Sequence, residues 1–396
     1  MKKLLLIYIK AYDFPLGGAP QNRALGILKA LRLADFDIAA HVFGPSKLDI
    51  SQNHINKQIY DFIPIENHAW RWSPVKNKIF QLVAVVEGYT RLVFALLKKY
   101  NNSNIDFIIF NSENLFYIFP IFIFCKIFRI KLGRDLNEYP KHIIKSDSFN
   151  LKLKFWDKLN YKLFDFLFIM TNPLIEFYKP LARKNSKILH LPMTVDIDRF
   201  IQNSNIPKEN HITYCGDLSQ KKDGVIDLIE AFYFVQQKYA DYKLKLIGTN
   251  SNKVYMEKLL KLIGSKKLND KVILTGFLPP EQVVKELKNS SLLVLSRPDN
   301  IQAQGGFPTK LGEYLATGVP VVITSVGDIP FYLIHKKNAY LAKPGNIMSF
   351  SKEIINALKN EKYSLKVGKE GQQTAMFFFS HLAQSRLLSN FLRGIK

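Results

Sequence analysis

The sequence predicts an α/β fold built from two doubly wound, Rossmann-like domains, and three observations predict it. A chain of 396 residues is longer than one ordinary core fills and suits two domains. Short runs rich in Val, Ile and Leu recur along it, separated by segments of helical periodicity, as in parallel sheets covered on both faces. The stretch 305–322 spells a double glycine, a helix with proline near its start and glycine past its end, and an apolar strand. Composition agrees: 47% hydrophobic and 22% charged residues, without a long polar tract, describe a folded globular chain.

Taken in order, strands are expected at 3–9, 38–43, 106–110, 166–170 and 187–191, with helical patterns between several of them. The start, Met1-Lys2-Lys3 followed by an apolar run to Ile9, is too short for a signal-peptide core and lacks a small-residue cleavage site, so it is read as the first strand. The most apolar run, 115–128, carries Pro120 and Lys126 and falls short of the roughly twenty residues that span a bilayer, which predicts a buried helix, with a membrane-inserted role for its many phenylalanines as the alternative. The second half repeats the alternation with strands at 212–215, 244–247, 272–274, 292–295 and 319–323. The polar run 202–210 marks the boundary, giving domains 1–203 and 204–375. A last segment, 376–396, reads as a helix over 377–393 with Leu382, Leu387, Leu388 and Leu392, expected to pack back across the N-terminal domain.

The stretch 305–318 carries the most chemistry. At about 100° per residue, Leu311, Tyr314 and Leu315 fall on one side of the predicted 308–317 helix, and Lys310, Glu313 and Thr317 on the other. Gly305 and Gly306, leading through Phe307 and Pro308 to Thr309, let backbone N–H groups approach an anion that the helix dipole also favours. Lys310 adds a full positive charge, and Glu313, one turn deeper, suits the hydroxyls of a sugar beside phosphates. The plainer alternative is a capped connector with a solvated Lys310–Glu313 pair.

Lys and Arg number 56 against 33 Asp and Glu, a formal net charge of +23, which predicts an anionic partner. Nucleic acid is set aside, because the sequence has no zinc-finger spacing, basic zipper or aromatic RNA-binding signature. Cys125 and Cys215 have neither metal-site nor redox-motif spacing, which suits a reducing cytoplasm. Lysines interleave with apolar residues over 141–165, either to rest on an anionic membrane or as a solvated basic helix with aromatic side chains turned inward. His68, Trp70 and Trp72 offer stacking faces to a sugar or anchor a loop, and His190 is read as structural.

Several motifs then combine. They are Leu16-Gly17-Gly18-Ala19-Pro20 with Arg23, the loop Tyr214-Cys215-Gly216-Asp217-Leu218-Ser219-Gln220-Lys221-Lys222-Asp223-Gly224, the strand ends Leu246-Ile247-Gly248 and Leu274-Thr275-Gly276, and the 305–318 helix. With these the chain resembles, over nearly its whole length, the retaining glycosyltransferases of the GT-B fold, family 4 in particular (glycosyl transferases group 1). The resemblance implies two Rossmann-like domains facing a central cleft, the N-terminal one on the acceptor side and the C-terminal one binding the nucleotide sugar. It also implies a UDP- or GDP-linked sugar as co-substrate, no metal or other cofactor, and retention at the anomeric carbon.

By that resemblance Lys222, or Lys221, grips the donor diphosphate. Gly17, Gly18 and Arg23 approach the donor, Gly305 to Lys310 line its phosphates and sugar, and Glu313 holds the ribose. Two positions depart from the family. Asp217 stands where many relatives carry arginine, so Arg297 or Lys310 is expected to supply that charge. Gly305 stands where the first of two glutamates contacts the transferred sugar, leaving the backbone of Gly306 and Phe307 to serve it.

Asp135 and Glu138, in the segment 135–140, are the candidate catalytic carboxylates at the acceptor, Glu138 preferred; the alternative is that both cap a helix or stay solvated. The expected function is transfer of a sugar to a hydroxyl of a lipid-linked or cell-envelope glycan, in the cytoplasm at the inner face of the membrane. Two other readings stay open: a sugar-nucleotide epimerase or hydrolase of the same fold, and a non-catalytic nucleotide-binding partner of a glycosyltransferase complex.

Overall fold

A computed structural model of the chain describes residues 3–10, 14, 19–44, 57–60, 62–68, 78–146, 155–201 and 207–396. The chain forms two compact units. Unit 1 takes residues 1–137, 149–194 and 381–396, and unit 2 takes 138–148 and 195–380.

Unit 1 is built on eight strands: β1 (Leu4–Lys10), β2 (Phe36–Val42), β3 (Lys57–Tyr60), β4 (Ile63–Asn67), β5 (Phe107–Asn111), β6 (Lys131–Leu136), β7 (Phe166–Ile169) and β8 (Lys187–His190). They run in the order β3-β4-β2-β1-β5-β6-β7-β8, all pairs parallel except β3 with β4. Every residue of β1 and β7 is buried, so both faces of the sheet are covered and continuous apolar runs replace alternation. One core cluster joins Leu6, Tyr8, Leu28, Phe107 and Phe166 to Leu388 and Leu392 of the last helix, His381–Ile395.

Unit 2 has six parallel strands, β9 (Glu209–Cys215), β10 (Lys243–Ile247), β11 (Val272–Gly276), β12 (Ser290–Leu295), β13 (Val321–Thr324) and β14 (Tyr340–Ala342). Their order is β11-β10-β9-β12-β13-β14. This is the doubly wound order that reverses between its first and fourth strands, here β9 and β12.

The structure departs from the sequence expectations at four places. The units are not divided by one cut at 203/204, because Tyr139 packs on Gly305 and the helix Lys141–Ser146 packs on the helix Ile301–Gly305, which draws 138–148 into unit 2. Strands β3, β4 and β14 were not among those expected. The run 115–128 is a helix, Leu115–Ile127, but it buries only Ile118, Ile121, Phe124 and Cys125 and exposes its other face. The helix expected over 377–393 is two pieces: a π-helical turn, Ala375–Phe379, ends where Ser380 turns extended (φ −69°, ψ 144°), and a new helix starts at His381. Consequently Leu388 and Leu392 are buried, whereas Leu382 and Leu387 are exposed.

Candidate anion-binding site

At the reversal of strand order in unit 2 the loops leaving β9 and β12 part in opposite directions, the place where this topology opens a crevice at the strands' carboxyl ends. Three segments reach it from the sequence: Gly216 and Asp217 after β9 with the short helix Gln220–Asp223, Ser296 and Arg297 after β12, and the helix Thr309–Ala316. That helix starts at Thr309, with Pro308 just outside it, one residue later than its sequence predicts. Leu311, Tyr314 and Leu315 are buried as its periodicity requires, and no side chain caps its N-terminus.

Lys310 points from the first turn of this helix onto the β9 loop. Its Nζ donates to Asp223 Oδ2 at 2.6 Å and to the Tyr214 hydroxyl at 3.1 Å, and lies 4.9 Å from the centre of the Tyr214 ring. A Cβ at Gly216 would stand 2.2 Å from that Nζ, the movable end of the lysine, and the backbone there has a φ of 154° that L side chains rarely adopt. The Lys310 side chain keeps 16% exposure while that of Asp223 has 2%, so the ammonium is held by a buried carboxylate with one side open. Asp223 was not singled out from the sequence; its only signal there is a carboxylate beside Lys222 in a glycine-ended loop.

Arg297 is different. It is 3% exposed, its Nη1 donates to Gly306 O at 3.2 Å, and its Nε–H is buried without a hydrogen-bond partner. Burial lowers the guanidinium pKa, while the charges of Asp223 and Glu138 raise it part of the way back. A buried cation with an unmatched N–H is costly until an anion meets it.

Glu313 lies one turn beyond Lys310, its side chain 27% exposed and 3.5 Å from Arg199. Burial pushes its carboxyl above the ordinary glutamate range, with Arg199 and Lys310 pulling it back. Lys221 is exposed and donates to Ile144 O at 3.0 Å; Lys222 sits half-buried in the helix that Ser219 caps. Asp217 accepts from Asn250 at 3.2 Å, and burial together with Asp223 raises its pKa. Gly305 ends the helix Ile301–Gly305, and Phe307 packs on Tyr332 and Phe379. Lys221, Lys222, Arg297, Gly305 to Lys310 and Glu313 all belong to unit 2.

The expectations for the N-terminal half fare differently. Gly17, Gly18, Trp70 and Trp72 lie outside the described residues. Arg23 is 1% exposed, and its guanidinium donates to both Asp135 oxygens and to Leu191 O and Pro192 O, at 2.7–3.0 Å. Asp135 is the other half of that pair. It lies inside β6, 8% exposed, with its charge taken up by Arg23. Glu138, by contrast, is exposed, belongs to unit 2 and acts electrostatically on Arg297.

The basic stretch 141–165 is not one helix. Lys141–Ser146 and Phe155–Tyr161 belong to different units, and 147–154 lies outside the described residues. In unit 1 the ring nitrogens of His41 and His68 stand 2.7 Å apart in parallel rings, next to Glu66. That is closer than stacked planes approach, so the rings meet edge to edge in an N–H···N bond. One nitrogen carries the proton and the other's lone pair accepts it, so in this state the two do not offer a metal a pair of free lone pairs.

The two sheets and this crevice define the class: the chain has the two-domain α/β fold of GT-B glycosyltransferases. The solved structure of HepE from Anabaena in complex with UDP and glucose is similar over 98% of this chain and 99% of that one, with a TM-score of 0.70 at 16% identity. Residues 196–374 match the family described as Glycosyl transferases group 1, a match that covers most of unit 2. Among curated proteins, N-acetyl-alpha-D-glucosaminyl L-malate synthase of Bacillus anthracis is 26% identical over 155 residues, 39% of this chain and 38% of that protein. The amylovoran biosynthesis glycosyltransferase AmsK of Erwinia amylovora is 29% identical over 148 residues, 36% of this chain and 35% of that protein. The matches thus span well under half the length of these relatives.

Proposed function

We propose that the protein is a retaining, family 4-like hexosyltransferase that moves a sugar from a UDP- or GDP-linked donor to a hydroxyl of a lipid-linked or cell-envelope glycan. The observation that carries this reading is Arg297, a buried guanidinium with an unpartnered N–H, at the reversal point of a doubly wound sheet. A diphosphate supplies the anion it lacks. HepE, solved with UDP and glucose, supports a sugar nucleotide as donor, and AmsK, an amylovoran biosynthesis enzyme, supports a polysaccharide product. On this reading the protein works in the cytoplasm, at the inner face of the membrane.

In the reaction the bond from the anomeric carbon to the phosphate oxygen breaks, and negative charge grows on the leaving diphosphate. Arg297, Lys310 and the uncapped N–H groups of the Thr309–Ala316 helix stabilise that charge; Lys222, with Lys221 beside it, carries the outer phosphate. These fixed cations do the work a metal does elsewhere. Glu313 accepts from the ribose hydroxyls, Glu138 faces the acceptor, and the departing phosphate takes the acceptor's proton.

Titration calorimetry with UDP and GDP tests the site. Arg297→Met is expected to weaken nucleotide binding by about 10- to 100-fold, the worth of a charge-assisted hydrogen bond. Because the Glu313 carboxyl is raised, it takes up its proton while the pH is still above the ordinary glutamate range, so affinity falls earlier on the acid side than for an unperturbed carboxylate. Unchanged affinity in Arg297→Met sinks the reading. Gly305, where relatives carry a sugar-binding glutamate, favours an epimerase or hydrolase as the second reading, and product analysis without acceptor would select it, an epimeric sugar nucleotide for the first and free nucleotide with free sugar for the second. Nucleotide binding without turnover, with cellular glycan unchanged in Lys222→Ala and Glu313→Ala, would leave the non-catalytic partner.

A further inference from the structure

The helix Leu115–Ile127 is apolar on every side, yet it lies at the surface of unit 1. A helix of that kind is normally enclosed by protein or lipid. Its outward face carries Phe116, 85% exposed, with Phe119 and Ile127, spaced to lie along one side. The neighbouring helix, Lys78–Asn102, repeats the feature with Leu82, Val86 and Phe94, the last 72% exposed.

The two helices lie side by side and run the same way. The Tyr89 hydroxyl donates to Tyr117 O at 2.7 Å, and three turns further along both helices the rings of Tyr100 and Phe128 are 4.4 Å apart. Their exposed apolar sides therefore form one surface. The helix Glu361–Thr374, by comparison, sets Tyr363 and Leu365 among exposed Glu361, Lys362, Lys366, Lys369 and Glu370.

The C-terminal end of this apolar surface is cationic. Lys98, Lys99, Lys126 and Arg129 are exposed there; Lys126 lies 3.1 Å from Asp165, and Glu87 is paired with Arg91. Among the described residues no helix is long and apolar enough to cross a membrane, so the pair of helices can only lie along one. Aromatic side chains entering the acyl boundary beside cations that meet headgroup phosphates is the chemistry of an interfacial helix.

We propose that the face formed by Lys78–Asn102 and Leu115–Ile127 docks on an anionic bilayer, with Phe94, Phe116 and Phe119 inserted and Lys98, Lys99, Lys126 and Arg129 on the headgroups. A second copy of this chain would bring another set of the same cations and none of the missing anions. The inference stands apart from the donor site, since vesicle binding is read without turnover.

The test is co-sedimentation of the full chain with vesicles of phosphatidylcholine alone and with about 30% phosphatidylglycerol. The protein is expected to pellet with the anionic vesicles and to be released by added salt. Phe116→Ser with Phe119→Ser, and separately Lys98→Glu with Lys99→Glu, are each expected to weaken binding at least about tenfold, with nucleotide binding and thermal unfolding unchanged. No pelleting, or pelleting that neither pair of substitutions reduces, overturns the proposal. So does a dimer in solution that the phenylalanine substitutions dissociate, which would assign the face to a second copy.

Discussion

At Gly305 a single hydrogen in place of a side chain decides what fits beside Tyr139. A Cβ there would stand 2.1 Å from Tyr139 Cε2 and 2.4 Å from Cδ2, and Tyr139 is itself buried. The ring therefore fills the volume into which a glutamate at 305 would project. Gly305→Glu alone is expected to lower stability by about 1–3 kcal/mol through overpacking, and Gly305→Glu combined with Tyr139→Gly to recover most of it. The double variant is also expected to shift the preference among UDP-sugars in competition assays. A single variant that melts like the parent would show that Tyr139 gives way freely and does not define the pocket. The sequence exposed the departure at Gly305 but not its cause, because Tyr139 lies far away along the chain and only tertiary packing links them. Lys310 was legible for the same local reasons that make a helix N-terminus legible. Its anchor Asp223, and the pairing of Arg23 with Asp135, depend on partners that no spacing rule connects.

Among the elements, the strands found from the sequence are those whose apolar runs need no partner to explain them. β6 carries Arg134 and Asp135 inside its run, and both are buried because Arg134 reaches Asn160 and Asp135 accepts from Arg23. Asp165, just before β7, joins several elements at once. Its carboxylate accepts from Leu132 N–H at 3.0 Å and from Lys126 at 3.1 Å, and it pairs with Arg183. Burial alone would raise its pKa, but the backbone donor and the two cations outweigh it and the net shift is downward. A lowered carboxyl contributes stability at pH values above its unfolded pKa and loses it as the pH falls through its folded one. Asp165→Asn is therefore expected to cost about 1–3 kcal/mol at neutral pH, measured by urea unfolding, and the gap from the parent should close as the pH falls below the ordinary aspartate range. A gap independent of pH would show that the amide loses packing rather than charge.

For the whole molecule, length and alternation announce two α/β units, and both sheets have that architecture. The last helix was expected to pack back across the N-terminal domain; what the sequence conceals is that 138–148 leaves unit 1. A boundary read from a polar run assumes that contacts follow chain order, whereas 138–148 lies in unit 2 and 381–396 in unit 1. The last helix reaches unit 1 through Leu388 and Leu392, fully buried in its core, and through Phe391, whose ring centre lies 5.9 Å from that of Phe168. Each leucine-to-alanine change in such a core costs about 2–5 kcal/mol. Leu388→Ala with Leu392→Ala should therefore speed amide exchange in β1, β2 and β7, even though those strands precede the substitutions by hundreds of residues. Strands β9 and β12, nearer in sequence, should keep their protection, because the lost contacts belong to the other core. Exchange that quickens equally in both sheets, or only in the nearer one, would mean that the final helix stabilises the chain by some route other than the core it completes.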